Sequence, residues 1–123
     1  MIMSSVNRVT LIGNVGRDPE LKHLPNGDTV VAISLATTYK KKQGDEWVDD
    51  TQWHRVVFYK RLADMVGERV GKGTMIFVEG RIQYRAFEKD GAKQTVTEII
   101  GNDLQILAGK LNKKPAEDEE IPF

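Results

Sequence analysis

Alternation with a period of two constrains this chain more than any other feature. Val31, Ile33 and Leu35 share one face of the β-branched stretch from Thr29 to Tyr39, and Val9, Leu11 and Gly13 alternate with Arg8, Thr10, Ile12 and Asn14. Side chains at every second position line one face of a strand, so such runs suit a sheet with one buried side and cannot sit still as helix. Punctuation falls where strands must end. Gly16-Arg17-Asp18-Pro19 and Pro25-Asn26-Gly27-Asp28 read as loops, and Lys40-Lys41-Lys42-Gln43-Gly44-Asp45 reads as a charged hairpin loop. A third strand is expected from Trp47 to Tyr59, a fourth from Thr74 to Phe87 and a fifth from Gln94 to Leu107, the last two joined by a hairpin around Glu88-Lys89-Asp90-Gly91.

One stretch departs from this pattern. From Lys60 onward Leu62, Met65, Val66 and Val70 fall at helical spacing, and Gly71 sits where a helix should stop. Five strands with one short helix between the third and fourth match, in order and length, the all-β oligonucleotide-binding (OB-fold) barrel. With 123 residues and 40% hydrophobic content, one domain with a real core is expected over 1–108. A short linker over 109–116 and an acidic tail over 117–123 follow. The chain contains no cysteine, which excludes disulfides and thiolate metal sites. No signal-type apolar segment and no membrane-spanning stretch is present, so a cytoplasmic protein without a membrane partner is expected.

Charge is divided unevenly. The chain balances 18 basic against 18 acidic residues, but Glu117, Asp118, Glu119 and Glu120 account for four of the acids, leaving residues 1–116 at +4. A basic body suggests a polyanionic partner. The tail ends in Ile121, Pro122 and Phe123, and like charges beside a proline predict an extended, solvated and disordered segment when unbound. Phe123 is then an anchor for a pocket, with the acids meeting a basic rim, so residues 118–123 are the candidate protein-docking site.

The third strand carries the sharpest chemistry. Trp53, Arg55, Val57 and Tyr59 share one face, and Trp47 has the same parity if the strand is unbroken. Aromatic residues six apart on a strand are spaced by roughly 20 Å, which suits successive bases and not a small ligand. Base stacking on such rings tolerates any sequence, and Arg55 among them can pair with phosphate. On the fourth strand Arg81, Gln83, Arg85 and Phe87 form a second cationic and aromatic stripe. Lys72 and Lys40–Lys42 are placed to rim the same groove. Two buried tryptophans in a barrel core are the structural alternative, although His54, Val56 and Phe58 already supply the inward face.

Catalysis has little to draw on. His23 and His54 are the imidazoles present; His54 is expected on the inner face and His23 in a turn region without an evident nucleophile. Metal-ligand spacing is absent, and no cofactor is called for. Gly71-Lys72-Gly73-Thr74 resembles a phosphate loop only faintly, because it ends a helix instead of opening one.

Val6-Asn7-Arg8-Val9, Leu11-Ile12-Gly13-Asn14, Asp18-Pro19-Glu20, Pro25-Asn26-Gly27, Leu35-Ala36-Thr37, Thr51-Gln52-Trp53-His54-Arg55-Val56-Val57 and Val78-Glu79-Gly80-Arg81 together resemble the bacterial-type single-stranded DNA-binding proteins. Glu119-Glu120-Ile121-Pro122-Phe123 is similar to that family's acidic protein-docking tip. The resemblance covers essentially the whole chain. It implies a homotetramer in the cytoplasm, associated with the nucleoid, that wraps and protects single-stranded DNA and recruits replication, recombination and repair proteins through the tip. By position, Trp53, Tyr59 and Phe87 resemble the base-stacking aromatics. Arg8, Lys22, Arg55, Arg61, Lys72 and Arg85 correspond to phosphate contacts, and His54 to a subunit-interface residue. Lys41 stands where the family often has an aromatic, so either Tyr39 or Trp47 substitutes or stacking there is weaker. A second reading keeps the barrel but makes it an oligomeric adaptor of a replication or primosome complex, acting mainly by protein docking.

Overall fold

The computed structural model describes residues 4–109. Within them the alternating runs form β1 (Val9–Val15), β2 (Glu20–His23), β3 (Thr29–Gln43), β4 (Glu46–Tyr59), β5 (Met75–Lys89) and β6 (Ala92–Ala108), with α1 (Lys60–Arg69) between β4 and β5. The linker beyond Gly109 and the docking segment 117–123 lie outside the described residues, as do the expectations attached to them.

β1 closes the sheet on itself by serving two neighbours. It pairs antiparallel with β5 from Val9↔Gly80 to Asn14↔Met75, and its end passes to β3 at Asn14↔Ala36 and Val15↔Leu35. The handover demands a residue without a side chain, because a Cβ on Gly13 would lie 2.2 Å from the Ala36 carbonyl oxygen. The remaining ring runs β3–β4 antiparallel, β4–β6 parallel at Val56↔Ile99 and Val57↔Ile100, and β6–β5 antiparallel. β2 resumes the path of β1 after the bend at 16–19 and lies along β3 from Glu20↔Ala32 to His23↔Thr29. Taken as two halves of one bent strand, β1 and β2 give the expected five-stranded OB barrel with its helix in the expected place.

Local expectations need correcting at three points. His23 lies in the short strand β2 and not in a turn. Lys40, Lys41 and Lys42 belong to β3, because the hairpin turn is only Gly44-Asp45; Gly44 at φ 66° allows the tight two-residue connection. α1 ends at Arg69 and passes through Val70 into extended backbone, so Gly71 is not its cap and Lys72 lies in the turn beyond it.

The core is filled from every wall. Val31, Ile33 and Leu35 of β3 meet Val56 and Phe58 of β4, Ile76 and Val78 of β5, and Ile99 and Leu104 of β6. Ala63 and Val66 of α1 add to the same cluster, with Leu62 and Met65 packed against it. Barrel packing then gives way to ribbon: Thr38–Gln43 of β3 and Tyr84–Lys89 of β5 are exposed, so both long hairpins outrun the core. Among the described residues no helix is long and apolar enough to cross a membrane.

Phe58 is fully buried, so Phe58→Ala should lower the unfolding free energy by about 3–5 kcal/mol through lost contacts and an unfilled cavity. Tyr84→Ala, at a residue 68% exposed, should cost less than about 0.5 kcal/mol, and urea denaturation of the two variants checks the contrast.

Candidate nucleic-acid interface

Register across β3 and β4 builds a trough on the outer face of the barrel. Opposite Trp53, Arg55, Val57 and Tyr59 stand Ala36, Ser34, Ala32 and Val30, so large residues on one strand face small ones on the next. Small residues leave depth; the trough encloses about 570 Å³, with Arg17, Asp18, Glu20 and Lys22 along one side and Arg55, Tyr59, Arg85 and Glu98 along the other. The unbroken run of β4 from Glu46 to Tyr59 keeps Trp47 on the same parity as Trp53 and Tyr59. All three rings are exposed, at 65%, 61% and 41%, which rejects the alternative that both tryptophans are core.

Trp53 owes its position to a missing side chain. A Cβ on Gly16 would lie 2.4 Å from the Trp53 ring, so the indole rests directly against the backbone of the bend after β1. Gly16, Arg17, Ser34 and Trp53 form a smaller hollow beside the trough. Asp18 braces the same bend by accepting a 2.8 Å hydrogen bond from the Lys72 backbone N–H.

Glu98 organises the cations of the trough. Its carboxylate is 4% exposed and accepts from Arg55 Nε at 2.9 Å and from Arg85 Nη2 and Nε at 2.9 and 3.3 Å. Hydrogen bonding from Arg85 holds the Glu98 carboxyl below the usual carboxylate range against the opposing effect of burial, and Arg55 adds to this; Glu98 in turn raises the Arg85 guanidinium. Arg85 also stands 5.9 Å from the centroid of the Phe87 ring, a cation–π distance. Geometry of this kind presents fixed positive charge and flat apolar surface side by side.

The remaining expected residues are distributed around this centre. Lys22 on β2 lines the trough, whereas Arg61 on α1, Lys72 beyond the helix and Phe87 on the β5 ribbon lie off its lining. Arg8, just before β1, is paired with Glu79 of β5 at 3.0 Å. His54 is half-buried and shares a 2.8 Å hydrogen bond with the Thr37 hydroxyl. Tyr39 is 72% exposed on the β3–β4 ribbon, and Lys40 there is neutralised by Asp49 at 2.7 Å. Glu98, Arg17 and Gly16 are the participants that patterning does not single out. A signal for Glu98 does exist, since it is a lone carboxylate at the outward position next to Ile99 and Ile100, facing a strand that carries Arg81 and Arg85. Among the described residues no group of three or more acidic or histidine side chains is placed to hold a metal ion.

Gly16→Ala should displace the Trp53 ring while leaving the denaturation midpoint nearly unchanged; in a Trp47→Phe background, a shift of the emission maximum reads the displacement. Because Glu98 is held below its ordinary pKa when folded, its ion pairs stabilise the fold above the ordinary carboxylate range. That contribution is lost as pH falls through the lowered value. Urea stability should therefore fall more steeply on acidification in the wild type than in Glu98→Gln.

The model of the single-strand binding protein family matches residues 6–107 of this chain. Single-stranded DNA-binding proteins of Neisseria meningitidis serogroups A and B are each 40% identical over 109 residues, covering 86% of this chain. This chain spans 62% of the length of those relatives. Among solved structures, a Plasmodium falciparum SSB in complex with ssDNA superposes with a TM-score of 0.78 at 34% identity, over 87% of this chain and 99% of that one. A deletion mutant of the single-stranded DNA-binding protein from Thermus aquaticus gives 0.74 at 32% identity, over 86% of this chain and 52% of its own. A closed OB barrel whose outer face holds exposed aromatics among ordered arginines thus coincides with a family match spanning nearly every described residue, and the chain belongs to the single-strand binding protein family.

Proposed function

We propose that this protein binds single-stranded DNA without sequence preference and protects it during replication, recombination and repair. The observation that carries this reading is the exposed row of Trp53 and Tyr59 beside Arg55 and Arg85 on one face of the barrel. Rings on that face stack bases of any identity, while the arginines and Lys22 neutralise phosphates. The Plasmodium relative solved with ssDNA supports the choice of ligand. Trp47, Phe87, Arg8, Arg61 and Lys72 extend the path beyond the trough, with Arg8 exchanging Glu79 for phosphate. The protein acts as a binding module and not as an enzyme. It assembles as a homotetramer with His54 near a subunit contact, works in the cytoplasm at the nucleoid, and recruits partner proteins through the acidic segment ending in Ile121, Pro122 and Phe123.

Titration of intrinsic tryptophan fluorescence with oligothymidylate at two salt concentrations tests the central claim. Quenching is expected, with affinity falling as salt rises because bound counterions are released. Trp53→Ala should weaken binding by about 1–3 kcal/mol. Absence of both quenching and binding would overturn the reading and leave an adaptor barrel that works by protein docking.

A further inference from the structure

A phosphate-binding surface has no obvious use for a buried acid, yet Glu98 sits in the trough at 4% exposure between two arginines. Arg85 grips it through two nitrogens and Arg55 through one, and Oε2 serves both. Carboxylate and phosphate oxygens offer a guanidinium the same acceptor geometry, so Glu98 occupies the donors that a phosphate seeks. Both arginines remain about half exposed, at 49% and 47%, and their terminal nitrogens not used by Glu98 have no further protein partner among the described residues. A phosphate can thus approach the pair from solvent while Glu98 lies behind it. The approach brings a second negative charge next to a carboxylate that water scarcely reaches, and it draws the guanidinium hydrogen bonds away. Both effects favour the neutral form of the buried acid.

We propose that Glu98 is a positioning residue for nucleic-acid phosphates: a built-in anion that holds Arg55 and Arg85 in register in the empty trough, and whose protonation a phosphate on the pair favours, so that proton uptake accompanies binding as pH falls below neutral. The proposal rests on the trough being the nucleic-acid surface. With Glu98 ionised, the three side chains carry a net charge of +1; with Glu98 protonated they carry +2, so the strand is held more tightly as pH falls. The charged and titratable groups facing Glu98 are Arg85 from β5 and Arg55 and Tyr59 from β4, with Arg17, Asp18, Glu20 and Lys22 across the trough. Asp18 and Glu20 are exposed acids that also add positive potential when protonated, and a comparison with Glu98→Gln separates their effect from that of Glu98.

Fluorescence titration of wild type and Glu98→Gln with oligothymidylate at about pH 7 and about pH 5 reads the linkage. Wild-type affinity should rise about threefold more than that of Glu98→Gln on acidification. At neutral pH the variant, with one more net positive charge, should show a salt dependence steeper by about 0.7 in the log–log slope. A second measurement needs no variant: the titration midpoint of the Glu98 carboxyl-carbon NMR signal in the wild type should move upward when oligothymidylate saturates the protein. A midpoint that stays in place, or equal pH and salt dependences in both proteins that bind, overturns the proposal while leaving the binding surface intact. Failure of both proteins to bind oligothymidylate overturns the proposed function and this inference together.

Discussion

Everything in this fold hangs on the double duty of β1, which gives Val9 through Asn14 to β5 and its end, Asn14 and Val15, to β3. An open sheet of these strands would expose backbone donors and acceptors at two edges and leave Val31, Ile33 and Leu35 facing water on one side. Closure pairs those edges and turns one face of every strand inward at once. The contact is close enough that only Gly13 fits at the handover. Once the ring is shut, the outer faces of β3, β4, β5 and β6 are fixed relative to one another, and the trough inherits the rigidity of the core.

The outer face follows from that constraint through simple alternation. Each inward Val56 or Phe58 forces its neighbours Arg55 and Tyr59 outward, and each inward Ile33 or Leu35 does the same for Ser34 and Ala36. A buried apolar set therefore specifies an outward-facing set in the same strands, with small side chains opposite large ones to give the surface depth. Glu98 completes the arrangement by gathering two long, flexible arginines at one point, reducing the conformational freedom that each would otherwise lose on binding.

Much of this was legible from the chain alone. Period-two runs located every long strand, and the helical spacing of Leu62, Met65 and Val66 located α1, because both patterns are written by burial. The outward parity of Trp53, Arg55 and Tyr59 was legible for the same reason. What escaped patterning depends on contacts between distant positions. β2 is four exposed residues laddered to β3, with Leu21 resting against Gly67 of α1, so no burial pattern marks it. Lys40–Lys42 looked like a loop because charge is a weak signal for ribbon that extends past the core, where neither face is buried and pairing with β4 alone sets the conformation. Gly16 under Trp53 and Glu98 between two arginines are pairings across 37 and 43 residues of sequence, and alternation says nothing about which strand comes to lie beside which.

The two hairpins that run past the barrel separate properties that most surfaces combine. Residues 38–43 and 84–89 lie outside the packed interior, so adding or removing a pair of residues there changes neither the parity of the inner positions nor the volume they fill. The reach of the ribbons past the barrel is then an independent variable, adjustable in steps of one ladder rung, while the melting behaviour of the barrel stays where its interior sets it. A lineage built on this scaffold can alter how far its outer face reaches without renegotiating how it folds.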